Sequence, residues 1–443
     1  MKSISLLVLG FLLVVLFFSP ACKKSTEPDS ELLLKATFTN DWLCAECGEG
    51  IIFISDMDGT VLAEATWTGN ASLKIKPPAD LDQLPDKISV TTVAKNKYGD
   101  LILTTNLYIS PDLSWTWKIA PLPDFDNPVG SLSFDFQNIP DHNGYSISSR
   151  WNDRYSSSGT LPSSYIFSVY ESPVNIFLKL NTTNAGVKYL MRNDLYAGYN
   201  LLDLSSLQST VIKTVEIPTG SGSIMANLYG FHMPGSFYQG CYLLDRLVIP
   251  QSAELSFTFH YPLSVFTDYR TVIYLYDPDQ SNNFWYYSVY GSMPNSFNKI
   301  NADFSIVDFG LDNFRIQTTG SFDQLRSVWR QSGNDIQIWW YVYGPPQVNE
   351  YALPELPNSV TQKYPDLNRE SFTLYFADLI DYSQLNSYEE ILDIMFRSPE
   401  YFFDVVSDYK SRVKYHNLNL KVSDTNGPDK ILKRSDEYEY YLP

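Results

Sequence analysis

Hydrophobic and polar residues alternate over short distances along most of this chain. Between residues 33 and 122, apolar-rich runs at 33–38, 51–55, 60–66, 71–76, 87–95, 101–109 and 115–119 are separated by turn formers, such as Asp56-Met57-Asp58-Gly59 and Asn96-Lys97-Tyr98-Gly99-Asp100. Runs of this length and period predict strands, and their even spacing predicts a sandwich. The pattern continues at 131–136, 144–148, 165–170, 174–180 and 210–217. It resumes at 224–229, 255–260, 271–276, 284–290, 304–309, 314–318 and 336–343. Breaks fall at the Pro-rich stretch 121–128, at Thr219-Gly220-Ser221-Gly222-Ser223 and at Gly344-Pro345-Pro346. These divide the chain into β modules at 33–122, 129–218 and 219–343. A proline-punctuated region follows at 344–443, with helical spacing at 388–396, capped by Ser387, and at 399–409. The expected fold is mainly β: tandem β-sandwich-like modules, Ig-like or transthyretin-like, with a small helical C-terminal element. Fifteen per cent aromatic residues, 32 of them Tyr, suit pleated half-buried surfaces and agree with this.

The first residues have a different pattern. Lys2 is followed by an apolar stretch from Leu6 to Phe18 and then by Ser19-Pro20-Ala21-Cys22. The stretch has the length of a signal-peptide core. It resembles the bacterial lipoprotein signal, in which a small residue precedes a cysteine that becomes the acylated N-terminus. The resemblance implies a signal peptide at 1–21, cleavage after Ala21, lipid (palmitate among the acyl chains) on Cys22 and a polar tether over 22–32. Ser19 stands where that family usually has Leu. Lys23, rather than Asp, after the cysteine implies the outer membrane by the same resemblance. The strand layout of 33–122 loosely resembles transthyretin-like and carboxypeptidase-regulatory-like modules of exported bacterial proteins.

Net charge is −18, spread without a long acidic run. Such a surface repels nucleic-acid backbones, so the expected partners are the membrane, through the anchor, and a glycan or envelope protein. Cys44-Ala45-Glu46-Cys47 precedes a strand rather than a helix. It reads as a local disulfide or paired thiols ahead of a metal half-site or a redox motif. Cys241 reads as a buried thiol.

The sharpest chemical motif is Ile51–Leu62, where Asp56-Met57-Asp58-Gly59-Thr60 follows an apolar run. It resembles the first motif of haloacid-dehalogenase phosphatases, which would make Asp56 a nucleophile and Asp58 an acid/base. That family needs a parallel α/β sheet. Here the next segment reads as an antiparallel strand, so the motif reads as a hairpin turn. The stretch 276–283 is oxygen-rich but lacks the spaced Gly and bidentate Glu of a calcium loop. His142, His232, His260 and His416 have no metal or protease spacing. No catalytic residue, metal or cofactor is expected.

Aromatic clusters at Trp115/Trp117, Phe284–Tyr287 and Trp339–Tyr341 offer core packing or a ligand-stacking surface. Trp285, Tyr286, Trp339 and Trp340 are the candidates for stacking. The sequence therefore favours a non-catalytic envelope lipoprotein acting as a binding or assembly module, its partner a glycan, an envelope protein or a secreted substrate. The alternative is an envelope hydrolase acting on glycan or phosphoester.

Overall fold

A computed structural model describes residues 32–39, 49–95, 100–117, 127–156, 158–219, 222–235, 237, 240–250, 255–278, 283–331, 337–397 and 405–416. The described chain is mainly β, with sandwich-like packing of sheets and a small helical element. Among the described residues no helix is long and apolar enough to cross a membrane.

One twelve-stranded sheet organises the molecule. From one edge it runs Tyr242–Ile249, Ile224–Phe231, Asp268–Tyr276, Asn283–Gly291, Asp408–Tyr415 and Phe372–Tyr382. It continues through Gln324–Gln331, Ile338–Gly344, Leu101–Ile109, Ile88–Lys95, Glu49–Ser55 and Val61–Thr68. Neighbours are antiparallel except where Ile338–Gly344 lies parallel to Leu101–Ile109, placing Trp340 beside Leu103. Strands from 33–122, 219–343 and 344–443 thus share one hydrogen-bonded ladder.

The sheet is covered on both faces, which explains strands that are apolar all round. Ile338-Trp-Trp-Tyr-Val-Tyr-Gly344 is buried throughout. On the first face, Ile52, Val90, Tyr274, Val328, Trp339 and Phe376 pack under a small sheet ordered Ala71–Ile75, Leu34–Phe38, Leu113–Trp117. Helix Tyr388–Arg397 closes the same layer, with Phe396 stacked on Trp115 at 4.1 Å. Its start matches the sequence: Glu390 N–H donates to Ser387 Oγ at 3.2 Å. Gly50 is required here. A Cβ at that position would lie 2.2 Å from the buried Trp67 indole.

On the second face, Phe53, Leu103, Trp329, Trp340 and Leu379 pack under Ala302–Phe309, Phe314–Gly320 and Glu350–Tyr351. Farther along, Ala226, Leu244, Ile273 and Leu275 pack with Val215 and Phe259 of the pair Val211–Glu216 and Ser256–Tyr261. Two covers therefore meet over one face.

Residues 130–209 form a separate two-layer sandwich with its own core, including Leu132, Phe134, Ile147, Phe167 and Leu178. It docks on the edge strand Tyr242–Ile249. Ser146 and Ser148 hydroxyls donate to Leu243 O at 3.4 and 3.1 Å, and buried Lys179 pairs with buried Asp245. Side chains thus occupy a position where another strand would add.

The C-terminal region differs from its sequence reading. It supplies two interior strands, Phe372–Tyr382 and Asp408–Tyr415, besides its helices. Residues 408 and 409, expected at a helix end, begin the second of them. Residues 398–404 lie outside the described residues. Phe372-Thr-Leu-Tyr-Phe-Ala-Asp-Leu-Ile-Asp-Tyr382 lacks period-2 alternation because nearly all of it is buried, and a continuous apolar run does not announce a strand.

Candidate functional site

Trp285 stands at the seam where the two covers meet, packed against both the second-face cores. Its strand pairs with Asp408–Tyr415 so that Trp285 lies directly opposite Arg412, with Asn283 opposite Lys414. Opposed residues of antiparallel strands project to the same face, as do residues two apart. The chain crosses the seam above them. Phe297 enters one core and Ile300 the other, and Lys299 lies between them.

The result is a charged cluster around one indole. Lys299 Nζ and Arg412 Cζ each stand 3.9 Å from the Trp285 ring centroid. Arg412 is buried. Its Nη2 donates to Asp277 Oδ2 at 2.8 Å and its Nε to Asp303 Oδ1 at 3.3 Å. Lys414 Nζ pairs with the same Asp303 oxygen at 2.7 Å and donates to Phe304 O. Asp303 feels desolvation, which raises its pKa. The Lys414 hydrogen bond and the Phe304 N–H outweigh this and hold it below the usual carboxylate value. Lys299 is shifted down from the ordinary ammonium value, first by burial and then by Arg412, with Asp277 opposing.

A second surface lies on the docked sandwich. The outer face of its three-stranded sheet aligns Ile166, Ser133 and Tyr199 in one rung and Ser164, Asp135 and Leu201 in the next. Ile166 is 71% exposed, Tyr199 67% and Leu201 48%. The Tyr199 hydroxyl donates to Asp135 Oδ2 at 3.0 Å, which fixes the exposed ring over the sheet and raises the phenol pKa.

The sequence candidates fall in different places. Trp285 is at the seam. Tyr286, its neighbour, points to the opposite face, where its buried hydroxyl lies 3.2 Å from Arg270 Nη2 and 3.3 Å from the Tyr409 hydroxyl. Trp339 and Trp340 are core, 2% and 0% exposed, and Trp340 Nε1 donates to Thr105 Oγ1 at 2.8 Å. Tyr286, Trp339 and Trp340 therefore offer no ring face to a ligand, since each side chain is buried in the core. Cys22, Cys44 and Cys47 lie outside the described residues. Cys241, expected to be buried, is partly exposed.

Asp56 sits in the antiparallel turn between Glu49–Ser55 and Val61–Thr68. Its Oδ1 accepts from Asp58 N and Thr60 N at 3.1 and 2.8 Å, so this oxygen serves the turn. Sequence reading missed Lys299, Arg412 and Lys414. The signal was present as Lys410-Ser-Arg412-Val-Lys414, three cations at period 2 in one strand.

No family model matches the chain, and no curated protein matches it. Among solved structures it is similar to dimeric latent PorU from Porphyromonas gingivalis, with 10% identity, a TM-score of 0.13, and 57% of this chain and 29% of that one covered. It is also similar to a Ca2+-stabilized adhesin that helps an Antarctic bacterium bind ice, with 7% identity, a TM-score of 0.11, and 80% and 95% covered. A third similarity is to Escherichia coli alpha-2-macroglobulin activated by porcine elastase, with 11% identity, a TM-score of 0.15, and 83% and 41% covered. The chain spans under a third of the PorU structure's length and under half of the macroglobulin's. Superpositions this poor carry no argument about fold or activity.

Proposed function

We propose that this chain is a non-catalytic envelope lipoprotein, anchored through Cys22 and exposing a β surface that binds or assembles a glycan or a protein partner. The observation that carries the reading is the outer face of the docked sandwich. Three large apolar side chains stand exposed on two adjacent rungs of a sheet whose other face is a packed core. Exposed apolar groups grouped on a rigid face mark recognition surfaces more often than scattered ones do. The hydroxyls of Ser133 and Ser164 and the pinned Tyr199 ring add polar and stacking groups suited to a sugar or a peptide. The phosphoester half of the hydrolase alternative fares poorly, because Asp56 lies in an antiparallel hairpin rather than at the end of a parallel strand.

The test is capture of partners from cross-linked native membranes. The bait is the tagged chain or its Ile166→Ser/Tyr199→Ser/Leu201→Ser variant. A defined protein or glycan recovered by the first and lost with the second is the expected outcome. Equal recovery by both would remove this face from the reading. A Cys22→Ala variant that still fractionates with membranes would remove the anchor.

A further inference from the structure

We propose that the seam at Trp285 is a binding site for an oxyanion, the carboxylate or phosphoryl group of a small ligand, with Lys299 as its donor and the Arg412 guanidinium, on the same ring, adding charge. The inference is independent of the outer-face reading above.

Three cations, Lys299, Arg412 and Lys414, meet two carboxylates, Asp277 and Asp303. The cluster carries a net positive charge within a chain of net charge −18. Both carboxylates are already engaged by Arg412 and Lys414. Lys299 is left over. Its ammonium is partly buried, carries three donor hydrogens, and has an indole face, a repelling guanidinium and, through charge alone, Asp277 as its neighbours. No acceptor among the described residues hydrogen-bonds to it. Arg412 Nη1, on a side chain 4% exposed, is buried without a hydrogen-bond acceptor.

Unmade hydrogen bonds on buried charged groups are costly, and native proteins keep few of them. Arg412 Nη1 is the buried unmade donor, Lys299 Nζ keeps access to solvent, and the two side chains stand at equal distance from one ring at the seam. An incoming oxyanion supplies the missing negative charge and an acceptor for Lys299. A purely structural cation–π contact would explain the stacking of Arg412 on Trp285. It leaves unexplained why a second cation is held against the same ring with no salt bridge of its own.

The full-length protein in detergent would be titrated calorimetrically, at constant ionic strength, with inorganic phosphate, D-glucuronate and D-glucose. Thermal unfolding would be followed in parallel. The expected result is saturable binding of phosphate, glucuronate or both, with none for glucose. Lys299→Gln should weaken it at least about tenfold, the scale of one charge-assisted hydrogen bond. Lys299→Arg should retain it, and Lys188→Gln, on the other sandwich, should leave it unchanged. Phosphate alone would mark a phosphoryl ligand and glucuronate alone a carboxylate. Should Lys299→Gln fail to fold, Lys299→Met, which keeps the stem against the ring and removes the charge, decides: it should weaken binding by the same factor, and wild-type binding by it overturns the proposal. Trp285→Phe keeps a ring beside the cations and should bind within a few-fold of wild type. The proposal is overturned if neither anion binds saturably, or if folded Lys299→Gln binds as tightly as wild type.

Discussion

Two arginine clusters lie back to back in the long sheet, and they are finished differently. Asp378 and Leu379 are consecutive in one strand. Asp378 faces Arg326 across the ladder on the first face, and Leu379 stands opposite Arg412 on the second. The Arg326–Asp378 pair is closed. Both side chains are 0% exposed, and two parallel hydrogen bonds of 2.9 and 2.8 Å join them. Phe376 lies 5.3 Å from the guanidinium, and the phenols of Tyr343 and Tyr382 lie close by, pushed upward by burial. Charge there is balanced one for one. Around Arg412 the balance is three to two, and a lysine stands without an acceptor. The comparison teaches that burial alone does not mark a structural cluster. What separates the two is whether each charge has been answered.

The comparison can be broken first at its closed member. Asp378→Asn leaves Arg326 buried and uncompensated, and is expected to cost about 3–5 kcal/mol in urea unfolding. A loss below about 1 kcal/mol would mean that water reaches the pair and that the contrast is false. Asp303→Asn, at the open member, removes a carboxylate that is half exposed, 55% at its side chain. After solvent screening the expected cost is about 1 kcal/mol or less, shrinking in high salt. Its pH dependence has a definite sign. The folded pKa of Asp303 lies below the unfolded one, so its contribution is present above the unfolded carboxylate value and is lost as pH falls through the folded one. Wild type and variant should therefore converge in acid, and a gap that widens there would contradict the assignment.

The smallest effect sharpens the comparison most. Lys299→Gln removes a charge the fold does not satisfy. Without ligand it should leave stability unchanged or raise it by about 0.5 kcal/mol, measured as a small upward shift in Tm. A loss of more than about 1 kcal/mol would make Lys299 part of the scaffold.

Much of the β architecture was legible because strands with one exposed face advertise themselves. Ala302–Phe309, with its alternation of buried and exposed positions, is an example. Helix Tyr388–Arg397 was legible from its spacing and from Ser387. Phe372–Tyr382 was not, since burial on both faces erases the period. Joining distant segments into one sheet was illegible for another reason: the pairing of Ile338–Gly344 with Leu101–Ile109 is long-range and parallel, and no turn between them fixes a register. At the seam, Trp285 could be named from composition. Its partners could not, because Lys299 and Arg412 reach it through tertiary packing.

The placement of Asp408–Tyr415 has a consequence for how the molecule is made. This is the last described strand, yet it is inserted between Asn283–Gly291 and Phe372–Tyr382, near the middle of the ladder. A nascent chain that has not yet released it holds two half-sheets with facing open edges, each a template for the wrong neighbour. Completion must wait until residues 408–415 have been made, as in other folds dominated by distant contacts. A prematurely terminated copy would then be recognisable by its gap, and its unpaired edges would invite proteolysis or aggregation.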